Sequence, residues 1–137
     1  MIYVLDASFL SAQIIPDEKN PQVDIMYAKI KDEDERLAPH LIWYETANIF
    51  NNLIRRRRYT YEEVMQLFPR LAAFCIKIDS ETGVEYTEKL LRLSNDYNIS
   101  SYDAAYLELA GRKKAVLCTL DEGLEAAARK YGVTTLE

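Results

Sequence analysis

The chain begins with the run Ile2-Tyr3-Val4-Leu5, which passes directly into Asp6-Ala7-Ser8. A continuous apolar run this short, closed by a turn signal, reads as a strand buried on both faces. Such strands belong to parallel sheets, whose crossover connections cover the two sides with helices. Asp6 then stands where the strand leaves the sheet. In open α/β sheets, ligands bind outside the carboxyl ends of the strands.

The remaining residues alternate in the same way. Ser8 to Ile14 reads as a short helix with Ser8 as its N-cap, ended by Pro16. Pro21 opens a second helix, with Val23, Met26, Tyr27 and Ile30 on one face and the charged run Lys31 to Arg36 as its solvated end. Arg36-Leu37-Ala38 is a short strand candidate that Pro39 ends. A third helix is expected from Leu41 to Arg57, with an apolar stripe of Ile42, Thr46, Ile49 and Leu53. Glu45, Asn48 and Asn52 share another of its faces. Thr60 and Glu63 have the spacing of a capping box for a fourth helix, which Pro69 should kink or break.

Cys75 to Ile78 reads as a third strand, followed by a helix capped by Asp79 or Ser80 and reaching Tyr97. Ser101 is expected to cap a sixth helix, Tyr102 to Arg112, before a fourth strand, Ala115 to Cys118. A seventh helix, Glu122 to Lys130, stops at Gly132 and leads to a last strand, Val133 to Leu136. Strands alternating with helices specify an α/β fold with a parallel sheet between helical layers.

Composition narrows the function classes. A chain of 137 residues, about half of them hydrophobic, is expected to form one domain over residues 1–137. No stretch approaches the ~20 apolar residues of a membrane span. The N-terminal strand has no basic segment before it, unlike a signal peptide. A cytoplasmic protein without a membrane partner is therefore expected. The net charge of -5 argues against a general nucleic-acid coating protein. It leaves room for an enzyme that grips nucleic acid locally, since Arg55 to Arg58 and Arg112-Lys113-Lys114 hold seven of the seventeen basic residues. Cys75 and Cys118 lie in apolar surroundings and read as buried, reduced thiols. A single His40 and no paired cysteines give no zinc constellation.

The acids are placed more tellingly. The fourth strand ends as the first does, in a turn carrying an acid, Asp121. Asp103 lies in the first turn of the sixth helix and Glu45 one turn into the third. Helix N-termini and strand C-termini share one edge of a parallel sheet, so all four acids belong to that edge. Each alone has an ordinary structural role as a cap, a turn residue or a solvated helix position. Together they repel, and a cation would relieve the repulsion. Oxygen-only ligands suit Mg²⁺ or Mn²⁺ over Zn²⁺, and carboxylate-bound metal in an open cleft suits phosphodiester cleavage.

The segments Val4-Leu5-Asp6-Ala7-Ser8, Glu45-Thr46-Ala47-Asn48, Ser101-Tyr102-Asp103-Ala104-Ala105-Tyr106 and Thr119-Leu120-Asp121 occur in this order along the chain. In them the chain resembles the PIN domains, and most closely the VapC-type toxins of toxin–antitoxin systems. The resemblance implies a three-layer α/β/α fold with a central parallel sheet of order 3-2-1-4-5. It implies a metal-dependent ribonuclease in which Asp6, Glu45, Asp103 and Asp121 are the catalytic and metal-binding acids. Ser8 and Thr119 match hydroxyl positions that orient a ligand, a water or the substrate phosphate. Asn48 matches a polar position at the cleft, where it contacts substrate or orients Glu45. The implied partners are an RNA substrate, a small antitoxin protein and a second copy of the chain. The implied sheet order separates Cys75 from Cys118 by roughly 14 Å, beyond disulfide reach.

Four readings compete with the toxin or qualify it. They are a PIN nuclease of RNA processing without an antitoxin, a non-catalytic PIN-like binding module, a receiver-like signalling domain, and a helix end at Arg55 to Arg58 that merely suits the dipole rather than binding RNA or an acidic antitoxin segment. All four acids are present, which counts against a decayed module. Ala7 stands where a receiver domain would carry a second acid. The ten tyrosines serve either as base-stacking platforms or as core and dimer-interface residues.

Overall fold

The computed structural model describes residues 1–137. The strands are β1 (Ile2–Leu5), β2 (Glu35–Ala38), β3 (Lys77–Ile78) and β4 (Val116–Cys118). The helices are α1 (Ala7–Ile14), α2 (Pro21–Tyr27), α3 (Leu41–Arg55), α4 (Tyr61–Met65), α5 (Phe68–Ala73), α6 (Val84–Tyr97), α7 (Ser101–Lys113) and α8 (Glu122–Tyr131). A single 3₁₀ turn, Pro16–Glu18, follows α1. All strand pairs are parallel, in the order β3-β2-β1-β4.

The order agrees with the expected one through its first four positions. The fifth is occupied by one parallel bridge, Leu117 to Thr135, and not by a full strand. Two backbone hydrogen bonds hold the C-terminal segment beside β4, from Leu117 N–H to Thr134 and from Leu136 N–H to Leu117. The segment crosses the edge of the sheet at one point, too briefly to extend a ladder.

β1 lies between two neighbours, and Val4 and Leu5 are fully buried. Burying such side chains contributes roughly 1.5–3 kcal/mol each, which is why an uninterrupted apolar run is required there. α7 packs on β1 and β4, with α6 and α8 against it, while α1 contacts α2 and α3. The core-facing stripe of α3 is Ile42, Thr46, Phe50 and Leu53.

Helix starts are set by local chemistry. Asp6, not Ser8, caps α1: in extended backbone, its carboxylate accepts from Phe9 N–H at 2.9 Å. Thr60 and Glu63 form the expected capping box. Pro69 falls at the second position of α5, where its missing N–H costs nothing, and the helical run breaks before it. α7 is capped by Ser100 rather than Ser101. α6 starts only after Gly83, whose φ of +101° suits glycine. Asp79 does not cap α6, since it lies four residues before the Gly83 N-cap; its carboxylate accepts from Arg112 and from Glu81 N–H instead.

β3 is shorter than the expected Cys75–Ile78. Cys75 follows α5 with φ +50° and is exposed, so only Lys77 and Ile78 pair with β2. The buried thiol expected at Cys75 is therefore corrected. Cys118 is buried, and both thiols are free. The charged run after α2 is not a helix end either. Glu35 and Arg36 open β2, and Arg36 is buried.

A charged cluster ties the β3–α6 loop to α7. Arg112 donates to Asp79 at 2.5 and 3.1 Å and to Glu108 at 2.7 and 3.2 Å. Burial pushes the Asp79 carboxyl up, but the Arg112 guanidinium more than offsets this and holds it below its usual range. Arg112→Ala strands two largely buried carboxylates. It is expected to lower unfolding stability by roughly 3 kcal/mol at pH 7, read by urea titration. The deficit should shrink below pH ~4, where carboxylates protonate. An unchanged urea midpoint at pH 7 would show that the cluster does not hold the β3–α6 loop to α7.

Candidate active site

β1 and β4 run side by side with Leu5 opposite Cys118. The residues that follow, Asp6 and Thr119, therefore leave the sheet together. Asp6 N–H donates to the Cys118 carbonyl at 3.1 Å, extending the ladder by one bond. Asp6 is buried. One carboxylate oxygen accepts from Phe9 N–H and from Ser8 Oγ at 2.7 Å, and the other accepts from Thr119 Oγ1.

Both hydroxyls also accept from the β4–α8 turn, Thr119 within its own turn and Ser8 across from the other. Thr119 Oγ1 accepts from Asp121 N–H at 3.0 Å, and Ser8 Oγ accepts from Leu120 N–H at 3.0 Å. The β1–α1 and β4–α8 turns are thus laced together around the Asp6 carboxylate. Asp121 caps α8, accepting from Leu124 N–H at 2.7 Å, and is exposed. Asp103 lies half-buried in the first turn of α7, with its own N–H held by Ser100 Oγ at 3.0 Å.

Glu45 is half-buried on the second turn of α3. The fully buried Tyr106 on α7 donates its hydroxyl to Glu45 Oε1 at 2.6 Å. Asn48 does not supply that contact; it is exposed one turn further along α3. Tyr106 was not among the expected site residues. Its spacing of three from Asp103 places the two on one side of α7, and this is the sequence signal for it.

The electrostatics join the four acids into one group. Burial pushes Asp6 up to about 6, against the hydrogen bonds from Thr119, Phe9 and Ser8, and Asp103 raises it further. Burial also raises Glu45, opposed by the Tyr106 hydroxyl and reinforced by Asp103. Burial raises Asp103, with Asp121 adding to it. Burial and the nearby Glu45, Asp6 and Asp103 all hold the Tyr106 hydroxyl in its protonated, donating form. No ion pair of the molecule involves any of the four acids.

The donor set fits a hard divalent cation in chemistry and in charge. It offers only oxygen ligands and an excess of negative charge without a protein cation. As the side chains stand, no group of three His, Cys, Asp or Glu residues is in metal-ligating geometry. Binding an ion would require the carboxylates to close around it.

The family model of the PIN domain matches residues 3–130. The chain belongs to the PIN domain family. Ribonuclease VapC3 of Pyrobaculum aerophilum is 27% identical over 124 residues, covering 90% of this chain and 92% of the relative. Among solved structures, PAE2754 from the same organism superposes with a TM-score of 0.72 at 21% identity, over 98% of this chain and 89% of its own. VapC20 of Mycobacterium tuberculosis, described as a sarcin–ricin loop cleaving toxin, has a TM-score of 0.66 at 16% identity, covering 93% and 95%. FitAcB of Neisseria gonorrhoeae has 0.64 at 16%, covering 100% and 97%. These structural likenesses establish a shared PIN fold.

In this PIN domain, burial of the Asp6 charge has a pH signature. Its carboxyl is raised from an ordinary 3.8 to about 6, so the folded chain holds this proton more tightly than the unfolded one. The stabilising contribution is complete below pH 3.8 and is lost as pH rises through about 6. The shift corresponds to roughly 3 kcal/mol. In metal-chelating buffer, Asp6→Asn removes the charge and keeps one oxygen for the cap, while its NH2 forfeits the bond accepted from Thr119. The stability of wild type relative to Asp6→Asn is therefore expected to fall between pH 4 and pH 7, read by urea titration at each pH. A difference that stays constant over that range would mean that Asp6 is solvated in solution.

Proposed function

We propose that this PIN domain is a metal-dependent endoribonuclease, the toxin of a VapBC-type toxin–antitoxin pair. The observation that carries this reading is the buried Asp6 carboxylate, which feels the charge of Asp103, as Glu45 also does, while Asp121 acts on Asp103, with no protein cation paired to any of the four. A surplus of charge at the ligand-binding edge of a parallel sheet is costly for folding alone, and a cation-dependent reaction gives it a use. The likeness to Ribonuclease VapC3 over nine-tenths of the chain supports RNA as substrate and a small protein antitoxin as partner. No helix is long and apolar enough to cross a membrane. The homodimer and the cytoplasmic location within this proposal rest on family resemblance.

In this reading Asp6, Glu45, Asp103 and Asp121 would hold Mg²⁺ or Mn²⁺. When bound, such an ion activates water as the nucleophile and stabilises the leaving oxygen of the phosphodiester. Ser8, Thr119 and the Phe9 N–H fix the direction of the Asp6 carboxylate. Tyr106 fixes Glu45 from another helix, so the two acids stay oriented toward one cleft. A carboxylate of the set not fully engaged in ligation accepts the proton released as water attacks phosphorus and the P–O bond breaks. Asn48 is free to meet substrate, since it is not engaged with Glu45.

Purified, antitoxin-free wild type is expected to cleave RNA with Mn²⁺ or Mg²⁺ and to stop on chelation. Asp6→Asn should lose more than ~100-fold in rate, exceeding the effect expected of a residue that only supports a ligand. Mn²⁺ should also raise the thermal midpoint of wild type and leave that of Asp6→Asn in place. If wild type cuts no RNA with either metal, the nuclease reading fails.

Tyr106→Phe removes the hydroxyl from Glu45 and keeps the buried ring. A loss of roughly 10–100-fold in cleavage is expected, with the Mn²⁺ concentration for half-maximal rate shifted upward. A purely structural role for the hydroxyl would change stability and leave the metal requirement where it was.

A further inference from the structure

We infer that the RNA strand leaves the four-acid cleft along α3 and seats a phosphate in the groove between the end of α3 and the Pro16–Glu18 turn. The inference rests on the nuclease reading for the substrate, and on surface geometry and charge for the path.

α3 is continuous from Leu41 to Arg55, and Arg56 is its C-cap, with φ -83° and ψ 4°. At 100° per residue, Asn52 and Arg56 lie within about 20° of Glu45 around the axis, and Asn48 lies about 60° to one side. The rise places Asn52 roughly 10 Å and Arg56 roughly 16 Å beyond Glu45. Glu45 is the only acid on the helix. Chemistry along this line therefore changes from a carboxylate, through two amides, to guanidinium. Amides can hydrogen-bond base edges or phosphate oxygens, and arginine pairs with phosphate.

The line ends in a groove lined by Glu18, Ile49, Asn52, Leu53, Arg56 and Arg58. Arg58 is already engaged, 3.6 Å from Glu18 and 3.4 Å from Asp17. That one guanidinium offsets only one of the turn's two negative charges, but among the lining residues Arg56 and Arg58 outnumber Glu18. Arg56 lines the groove without an ion-pair partner, and Arg55, the last residue of α3, is exposed and also unpaired. The groove therefore presents positive charge beside an apolar floor.

The opposite flank of the cleft has the reverse character. The groove beside Thr119 and Leu120 is lined by Glu122, Glu125 and Glu137. Its one arginine, Arg129, is held by Glu125 at 2.5 Å and by Glu137 at 3.3 Å. A polyanion bound at the four acids is repelled on the α8 side and attracted on the α3 side. An acidic peptide could answer the same charge, but the two amides leading from the acid cleft to the arginines favour a strand that passes through that cleft.

The test uses the full chain carrying Asp6→Asn and a short, fluorescein-labelled, single-stranded RNA of mixed sequence, read by anisotropy over a salt series. Adding Arg55→Ala and Arg56→Ala should raise Kd on the order of 10-fold and reduce the salt slope by ~0.7 for each phosphate that is no longer neutralised. Asn52→Ala should raise Kd with the slope unchanged. Lys113→Ala with Lys114→Ala, on an exposed basic pair at the far end of α7, should change neither.

The inference is overturned if the lysine variant matches the arginine variant, which would make the effect one of overall charge. It is also overturned if the arginine variant binds RNA as the parent does, including the case in which it loses only polyglutamate binding and the groove serves a protein. Binding is read without cleavage. A wild type that cuts no RNA therefore removes the nuclease reading alone, and unchanged RNA binding in the arginine variant removes the groove alone.

Discussion

The hydrogen bond from Thr119 to Asp6 joins the two turns on which the site depends. β1 and β4 are parallel neighbours, and their connections depart for different helices, α1 and α8. Beyond the last ladder bond, from Asp6 N–H to the Cys118 carbonyl, side-chain hydrogen bonds keep the two turns together at this edge. Thr119 Oγ1 donates to Asp6 and accepts from Asp121 N–H, and Ser8 Oγ donates to Asp6 and accepts from Leu120 N–H. Each hydroxyl uses its donor and its acceptor capacity at once. The same carboxylate also caps α1. Asp6 is therefore at once a helix cap, the acceptor for two turn-bracing hydroxyls and the most buried acid of the cleft. The cap and the two hydroxyl bonds use three of the carboxylate's lone-pair sites, which leaves capacity for the proposed ion.

Much of this was legible in the primary structure because β1 and β4 follow one rule: a buried apolar run, then an acid in a turn. That rule fixes both the sheet and the edge to which Asp6 and Asp121 belong. The cap of α1 was less legible, since Asp6 and Ser8 are both good N-cap residues. Only the extended backbone at Asp6 and its reach to Phe9 N–H decide between them. β3 was misjudged by an apolar pattern that cannot register the left-handed turn at Cys75, which exposes a thiol the pattern would bury. The fifth strand shrank to a bridge because β propensity in Val133 to Leu136 supplies no length of neighbour to pair with. Asn48 and Tyr106 show the limit most clearly. A polar residue one turn from Glu45 was the natural candidate to orient it, yet the contact comes from sixty-one residues away, through a tyrosine whose ring is in the core. Local spacing can place residues on a helix face, but the partner across the cleft depends on how α3 and α7 pack.

The four acids also differ in what they give up. Asp6 is buried, Glu45 and Asp103 are half-buried, and Asp121 is exposed. Charge at the inner end costs stability, while charge at the outer end is solvated and inexpensive. A site graded in this way holds its innermost carboxylate rigid and leaves the outer ones able to move. That gradation suits an ion whose ligands must close from a geometry in which no three are yet positioned. The protein supplies rigidity where the two turns meet and adaptability toward solvent.

A net negative protein that acts on a polyanion must solve an approach problem, and its total charge is a poor guide to the solution. What matters is which cations are free. Arg92, Arg112 and Arg129 are each held by a glutamate four residues earlier on the same helix, so they contribute little to the field a ligand meets. Arg58 is spent on Asp17 and Glu18. Arg55, Arg56 and Arg57 are left unpaired at the end of the helix that carries Glu45. Their charge is not cancelled locally, and the negative end of the helix dipole stabilises it in place. Glu45 of the acid cluster and the cationic end of the same helix give opposite local fields about 16 Å apart. For an RNA strand the first field is repulsive until an ion is present, while the second is attractive throughout. In the proposed nuclease, strand capture and strand cleavage would then have different ionic requirements, with capture screened by monovalent salt and cleavage switched on by a divalent ion.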